Sequence, residues 1–496
     1  MRLGKLAACL SYAVIQSPQP PEQAEVAGIV YDSRKAEPGV LFVCIRGEKA
    51  DGHAYIGEAC GRGARFVMVE KLVLDGEMLA FPPHVTVLLV KDTREALAYV
   101  SAAWFRYPAA KLRVIGVTGT KGKTTVTHMI REMLEAAGHP AGLIGTNGCR
   151  IGGEIISSVN TTPESFTIQE YFAKMVETGC EYAVMEVSSQ GVRQKRIEGI
   201  RFAAGVFTNF SEDHVGPGEH GSVGEYRYYK SLLFRQCSMG IGNLDDLECR
   251  YMFRRTSCGK YGFTCQGKGG DLERVLGAED IRFCMAEGVP ETCFTAAGRV
   301  YRLEMPGLFS VYNALAAIQT LRCLGIRDPR ADEALEKVQV RGRMERIPNE
   351  KNVACYIDYA HNKASLTQVL TTLRIYRPRR IILVFGCGGN RAKSRRREMG
   401  ETAGRLADLT ILTTDNPRFE EPEAILAEIL EGMKRTEGRY RVIPDRREAV
   451  TEALREAEEG DVVLIAGKGH ETYQEIAGVR YPLDDRELVR GEKKDG

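Results

Sequence analysis

"LRVIGVTGTKGKTTVTHMIREMLEAAG", residues 112–138, reads as a buried strand, a glycine turn and a helix that Gly138 closes. Backbone N–H groups from Gly119 through Thr120, Lys121, Gly122 and Lys123 to Thr124 would face a phosphate, with Thr125 continuing the first turn. Lys123 would reach the β- and γ-phosphates, and the Thr124 hydroxyl would sit on Mg²⁺. The stretch departs from the general GxxxxGK[ST] loop, because Val117 stands where the first glycine belongs and Gly116 comes one residue early. A glycine turn alone would be structural. Strand, GK[ST] and helix in sequence point to a nucleotide.

Working outward, "YAVMEVSS" and "FAAGVFTNF" are further buried strands, and strand–helix alternation implies a parallel, doubly wound sheet. "VYNALAAIQTLRCLG" reads as a helix of the same domain. Residues 1–110 read differently. "GIVYDSRKAEPGVLFVCIRG" reads as two strands around a Pro-Gly turn, "GARFVMVE" and "VTVLLVKD" as strands, and "TREALAYVSAAWFRYP" as a helix ended by Pro108. Near "VQVRGRMERI" the chain restarts. "VACYIDYAH", "RIILVFGCGG", "LTILTTDNPR" and "DVVLIAGKG" are four strands, each expected to lead through a polar tip into a helix. The expectation is an α/β protein of three domains, 1–110, 111–337 and 338–496, the middle one a P-loop doubly wound domain and the last Rossmann-like.

The 68 basic and 66 acidic residues leave a net charge of +2, which gives no global field for nucleic acid or an anionic membrane. No apolar run reaches the ~18 residues of a membrane span. The 14 cysteines include no CxxC pair and read as reduced thiols. "LAAC" at residues 6–9 lacks the apolar stretch of a lipoprotein signal; Leu3, Leu6 and Leu10 share a helical face instead. The expectation is a cytoplasmic protein with small-molecule partners, no nucleic acid, no membrane insertion, and a monomeric state.

Ligands of open α/β sheets bind beyond the carboxyl ends of the strands, and the polar tips cluster there. Glu186 ends one strand, and with a nucleotide loop in the same sheet it becomes a candidate Mg²⁺ ligand, as does His214 in "TNFSEDHVG". Lys230 in "EYRYYKSLLF" is, by itself, an ordinary helix lysine. "DYAHN", "GKGHE" and the Asp415–Arg418 loop converge on one edge of the second sheet, which suits a ligand bearing both signs of charge.

"TGTKGKTT", "NTTPE", "MEVSS", "EYRYYKSLLF", "PGLFSVYNALAA", "RGRMERI", "DYAHN", "GCGGNR", "DNPR" and "GKGHE", in this order, resemble the Mur ligases, ATP-dependent amide-forming enzymes of peptidoglycan synthesis. The resemblance implies a first domain that holds the UDP end of UDP-MurNAc-L-Ala-D-Glu, a central domain for ATP and Mg²⁺, and a last domain that brings an amino acid. It implies that Ser33 and Glu48-Lys49-Ala50 contact the UDP sugar, and that Asn160, Thr161, Thr162, Ser188, Gln194 and Arg196 bind the rest of that substrate. Lys230 matches a lysine that is carbamylated in the family and joins Thr124, Glu186 and His214 about the metal. Asn313, Arg343 and Asp358 match positions near the nucleotide.

DNPR is, in the family, the loop of enzymes that add meso-diaminopimelate. By that likeness Arg418 and Arg391 would grip the distal carboxylate, with Asp415, Asn416 and Pro417 shaping the loop and Gly467 and Glu471 taking the distal ammonium. The chain departs from the family's usual residues at Asn390, at Lys363 and in "DHVGPGEHGS". An L-lysine-adding or divergent Mur ligase and a folylpolyglutamate-synthetase-like ligase remain alternatives, as does a non-catalytic P-loop binding module.

Overall fold

The structure is a computed structural model that describes residues 1–47, 50–212, 216, 220–267 and 274–491. Glu48, Lys49 and His214 lie outside the described residues. The backbone groups into two compact units. The first holds Met1–Gly262, Gly270–Arg274 and Gln319–Ile326; the second holds Phe263–Gly269, Val275–Ile318 and Arg327–Gly496. The helix Leu308–Cys323, expected within the middle domain, is divided between them.

In the first unit, Leu41–Val43, Phe66–Val69 and Thr86–Val90 form the centre of a five-stranded sheet. They are apolar and buried on both faces, as strands flanked by helices must be. Ile29–Val30 and Leu41–Val43 are the two strands expected around a Pro-Gly turn, but they pair in parallel and so form no hairpin. A 3₁₀ turn at Ser33–Lys35, capped by the Asp32 side chain, redirects the chain between them. The N-terminal helix is one turn, Leu3–Leu6; Leu10 lies past its end yet packs on the same core. The helix Thr93–Trp104 begins at Asp92, whose carboxylate accepts from the N–H groups of Arg94 and Glu95 at 2.9 Å each. It ends four residues before Pro108, which opens a 3₁₀ turn of its own.

The quoted stretch folds as read. β1 (Arg113–Thr118) runs into α1 (Lys123–Ala136), and Gly138 takes the left-handed conformation with φ 85°. β1 pairs in parallel with β2 (Tyr182–Glu186) on one side and β3 (Phe202–Phe207) on the other. The registers set Glu186 opposite Val117 and Phe207 opposite Thr118, so three carboxyl ends finish at one level. Phe202, Phe207, Phe234 and Phe253 fill the core beside them, each contributing roughly 2 kcal/mol by burial. α2 (Val223–Leu232) follows, started by Ser222, whose hydroxyl accepts from Glu225 N–H at 3.1 Å.

The second unit contains the expected four strands: β4 (Ala354–Asp358), β5 (Ile381–Phe385), β6 (Leu409–Leu412) and β7 (Val462–Ala466). They pair in parallel in the order β4-β7-β5-β6. α3 (Lys393–Leu406) connects β5 to β6. One expectation fails: β7 leads into no helix but into an antiparallel hairpin, Tyr473–Ile476 with Val479–Pro482. Its turn places Ala477 and Gly478 at φ 49° and 80°, the two positive values a two-residue hairpin turn needs. A three-stranded antiparallel sheet over residues 279–303 also went unread in the sequence. Among the described residues no helix is long and apolar enough to cross a membrane, and all 14 cysteines are free thiols.

Candidate active site

The phosphate loop is clamped from below. Thr120 N–H donates to Asn209 O at 2.9 Å and Lys121 N–H to Asn209 Oδ1 at 3.0 Å, so these two groups, expected to face a phosphate, are turned to Asn209 instead; the Asn209 amide and Thr208 hydroxyl both donate back to Lys121 O. Gly119 has φ 150°, and a Cβ there would run into Thr208 Oγ1. Gly119→Ala is therefore expected to cost nucleotide affinity at least about tenfold, read by nucleotide titration of the folded variant. Gly122 caps α1 with φ 84°.

Two ammonium groups meet at one peptide oxygen. Lys123 Nζ donates to Gly119 O at 2.9 Å and to Thr120 O at 3.1 Å, while Lys230 Nζ donates to the same Gly119 O at 2.8 Å. Lys230 is only 1% exposed and lies 4.3 Å from the centre of the Tyr226 ring. An ordinary helix lysine keeps its head in water; this one does not. The Tyr226 hydroxyl reaches Thr120 Oγ1 at 3.2 Å. Two cations held on one oxygen repel each other, the more so away from water, so the place favours an anion.

Beside the cations lies a carboxylate. Glu186 is fully buried at the end of β2, and its Oε2 accepts from Thr124 Oγ1 at 3.0 Å. Thr146 N–H donates to Glu186 Oε1 at 2.8 Å, and Thr146 Oγ1 lies 3.0 Å from Thr161 Oγ1. Gly145 makes the room, since a side chain there would collide with Glu186 Oε1. The Thr124 hydroxyl and the Glu186 carboxylate are oxygen donors of the kind Mg²⁺ takes. Among the described residues no group of three His, Cys, Asp or Glu side chains forms a metal cluster, and His214 falls outside them.

The same edge carries the segment expected to meet the second substrate. Thr162 Oγ1 donates to Glu186 O at 2.9 Å and accepts from Ser188 N–H at 3.0 Å, and Ser188 Oγ accepts from Gly191 N–H. Arg196 is pinned by Thr162 O at 2.7 Å and Glu164 at 2.7 Å, and Glu164 also pairs with Arg94 at 3.3 Å. Asn160 is exposed and Gln194 half-buried. Nearer the N-terminus, Ser33 Oγ donates to Glu58 Oε2 at 2.7 Å, and Ala50 O accepts from Gly47 N–H. His220 was missed: it is 1% exposed, sits 2.9 Å from Ser189 Oγ and packs against Tyr226 and Tyr229. No spacing in the sequence marks it.

In the second unit the DNPR loop walls a pocket with Arg391, Arg395, Arg418, Asp415, Glu471 and His361 on its lining. Arg418 adopts φ 54° and is fixed at both backbone ends, its N–H on Glu475 O and its carbonyl accepting from Ala477 N–H. Its Nη1 donates to Gly389 O at 2.7 Å and its Nε lies 3.7 Å from Glu475. Gly389 has to be glycine, because a Cβ there would strike Pro417 O. Asn416 Nδ2 donates to Glu471 Oε2 at 2.8 Å, and Lys468 Nζ lies 3.4 Å from the same carboxylate. Burial, with Asp415 nearby, pushes the Glu471 carboxyl up from its usual range even so. Gly467 brings the chain to Asp415; a Cβ would lie 2.6 Å from Asp415 Oδ2. Asn390 stands at φ 56°, a conformation asparagine tolerates, and its N–H donates to Glu420. Lys363 begins the helix Lys363–Ile375, which Asn362 caps by accepting from Ser365 N–H at 2.9 Å.

Of the nucleotide positions in this unit, Asp358 is 9% exposed and accepts from Met344 N–H at 2.8 Å, Arg343 lies 5.1 Å from the Tyr359 ring centre, and Asn313 is 6% exposed. His470 is held at about 4, by burial first and then by Arg343, Arg486 and Arg341. The folded state thus resists a proton that the unfolded chain accepts near pH 6.5. Its stabilising contribution is full above 6.5 and lost as pH falls toward about 4. Denaturant midpoints measured between pH 7 and 5 should fall for the wild type and fall less for His470→Gln.

Comparison with known proteins agrees with this geometry. Residues 25–105 match the Mur ligase family catalytic domain, 117–321 the Mur ligase middle domain, and 342–469 the Mur ligase glutamate ligase domain. The UDP-N-acetylmuramoyl-L-alanyl-D-glutamate--2,6-diaminopimelate ligase of Caldanaerobacter subterraneus subsp. tengcongensis is 41% identical over 475 residues, 94% of each chain. The ligase of the same name from Clostridioides difficile is 39% identical, again over 94% of each chain. A solved structure titled as that ligase superposes with a TM-score of 0.70 at 28% identity, covering 99% of this chain and 98% of that one. A MurF ligase from Thermotoga maritima in complex with ADP shares the fold, with a TM-score of 0.56 at 18% identity over 89% of this chain and 94% of its own. With the full length matched and the loop, carboxylate and buried lysine assembled at one sheet edge, the chain belongs to the Mur ligase family, with that family's three-domain α/β architecture.

Proposed function

We propose that the protein joins meso-2,6-diaminopimelate to UDP-N-acetylmuramoyl-L-alanyl-D-glutamate with ATP, in peptidoglycan synthesis. The observation that carries this is the convergence of Lys123 and Lys230 on Gly119 O beside buried Glu186. A carboxylate and an amine do not condense in water unaided. Phosphoryl transfer from ATP to the side-chain carboxylate of the substrate's D-glutamate gives an acyl phosphate. The neutral amine of the diamino acid then attacks the acyl carbon, and inorganic phosphate leaves. Lys123 and those loop N–H groups not already given to Asn209 hold the phosphates, and the convergent charge lowers the cost of the transferring phosphoryl group. Mg²⁺, when bound, supplies further charge neutralisation; Thr124, Glu186 and His214, with Lys230 as its carbamate, are the residues we assign to it.

The domain boundaries we infer, near 110 and 337, are supported by matched family ranges that fall inside them. Ser33, Glu48, Lys49 and Ala50 are assigned to the UDP sugar, with Asn160, Thr161, Thr162, Ser188, Gln194 and Arg196 on the remainder. Asn313, Arg343 and Asp358 are assigned to the nucleotide. The protein acts as a cytoplasmic monomer on small molecules. Arg418 on the pocket wall favours the diamino diacid over L-lysine.

The test is amide formation with each of ATP, Mg²⁺, UDP-MurNAc-dipeptide and meso-diaminopimelate omitted in turn. Product is expected only from the full set; product without ATP would overturn the reading. Lys230→Ala is expected to be nearly inactive and partly rescued by short carboxylates that restore an anion. Carbamylation converts the Lys230 cation into an anion, which a mass shift of the native protein would register. A native mass with no such shift in the active enzyme contradicts the assignment.

A further inference from the structure

Glu164 opens the helix Ser165–Glu177, yet its side chain caps none of the helix N–H groups. Its carboxylate lies between two guanidinium groups instead, 2.7 Å from Arg196 Nη2 and 3.3 Å from Arg94 Nη1, and all three side chains are largely buried. Each arginine also holds a peptide oxygen. Arg196 Nη1 donates to Thr162 O at 2.7 Å, in the segment assigned to the peptide end of the UDP substrate. Arg94 Nε and Nη2 both donate to Arg46 O, at 2.9 and 2.7 Å. Next to Arg46, Gly47 N–H donates to Ala50 O at 2.8 Å, and Ala50 is assigned to the UDP sugar. One carboxylate therefore joins the two segments that meet the two ends of one substrate.

The joint between these segments does not depend on Arg94 for its packing. Phe166 meets Phe105 edge-on at 5.1 Å and Tyr31 at 6.3 Å, and Lys195 pairs with Glu95 at 3.1 Å near the surface. What Arg94 adds is direction. A carbonyl that accepts two N–H groups of one planar fork is fixed in orientation, and the third donor of that fork ties it to the carboxylate that also sets Arg196. We propose that Arg94 is a positioning residue for the UDP substrate. Through Glu164 it holds the Arg46–Ala50 turn and the Thr162 segment at a fixed separation, so that one substrate meets both at once. Arg94 needs no contact with the substrate to do this. The proposal rests on the assignment of these two segments to the UDP substrate.

Steady-state kinetics of the full chain test it, with UDP-MurNAc-L-Ala-D-Glu varied at saturating ATP and meso-diaminopimelate. If the wild type does not turn this substrate over, the functional reading fails and the proposal with it. Given wild-type turnover, Arg94→Ala should raise KM for the UDP substrate about tenfold, with kcat and the KM for ATP within about threefold of wild type. UDP-MurNAc without the dipeptide reaches the first segment alone, so its inhibition constant should rise less than that KM. Arg94→Lys, whose single ammonium cannot serve Arg46 O and Glu164 as the fork does, should recover only a minor part. Lys195→Ala removes the other ion pair of the joint and should stay within about twofold of wild type. Arg94→Ala/Glu164→Gln should be about as impaired as Glu164→Gln alone, because both changes break one link. A KM within about twofold of wild type in either Arg94 variant would overturn the proposal. So would an equal rise in the KM for ATP or in the UDP-MurNAc inhibition constant, losses that multiply in the double variant, an equal loss in Lys195→Ala, or failure of both Arg94 variants to fold.

Discussion

Lys123→Ala is expected to lower turnover by about 10³-fold, a barrier increase of ~4 kcal/mol, while the protein stays folded. The magnitude follows from position. The ammonium caps the loop through Gly119 O and Thr120 O, within the first turn of α1, where the helix dipole and the loop N–H groups also favour negative charge. Phosphoryl transfer leaves little for a protein to do beyond placing charge, so losing the best-placed cation costs most of the catalysis. Lys123→Arg keeps the charge but cannot seat a compact ammonium at two carbonyl oxygens, so it should recover only a minor part. Turnover of Lys123→Ala within about tenfold of wild type, in a variant with unchanged melting temperature, would remove the loop from the mechanism.

Arg418→Ala is expected to cut kcat/KM for meso-diaminopimelate by roughly a hundredfold and to affect L-lysine far less. A charge-assisted guanidinium–carboxylate pair contributes roughly 1.5–3 kcal/mol, and leaving the substrate's carboxylate dehydrated without it adds to the loss. The structure makes the guanidinium a prepared partner. Backbone bonds to the 473–482 hairpin and the Nη1 bond to Gly389 fix it before any ligand arrives, so little side-chain entropy is lost on binding. L-Lysine bears hydrogen where the distal carboxylate would be, and it would leave the fork facing an apolar atom. Equal damage to both substrates would make the loop a structural turn and nothing more.

The nucleotide loop was legible in the sequence because its chemistry is local. Strand, glycine turn, GK[ST] and helix lie within residues 112–138, and β1 and α1 form where the pattern places them. The four strands of the second sheet were legible for a similar reason, being unbroken apolar runs ended by Gly, His or Asp. The hairpin after β7 was not, since its register depends on Ala477 and Gly478 turning together and on Arg418 pairing with its edge. The parallel pairing of Ile29–Val30 with Leu41–Val43 was hidden too, because a Pro-Gly turn suggests a hairpin whatever the tertiary crossing.

At the site, single residues were the least readable. Lys230 taken by its helix spacing is ordinary; only the fold buries it against Gly119 O and Tyr226. His220, Thr146 and Arg395 carry no motif, and their places come from long-range packing that no local window contains. Arg391, Asp415, Arg418, Gly467 and Glu471 were named from the family likeness, and the second unit brings them to one pocket.

The function proposed above is that of a diamino-diacid ligase, with a phosphate loop in one unit and a guanidinium-lined pocket in the other. The most direct test is wild-type kcat/KM for meso-diaminopimelate and for L-lysine, measured as phosphate release with ATP and UDP-MurNAc-L-Ala-D-Glu. The account predicts a preference for meso-diaminopimelate of roughly a hundredfold or more, the equivalent of ~3 kcal/mol. Equal use of the two amino acids, or a preference for L-lysine, would contradict it.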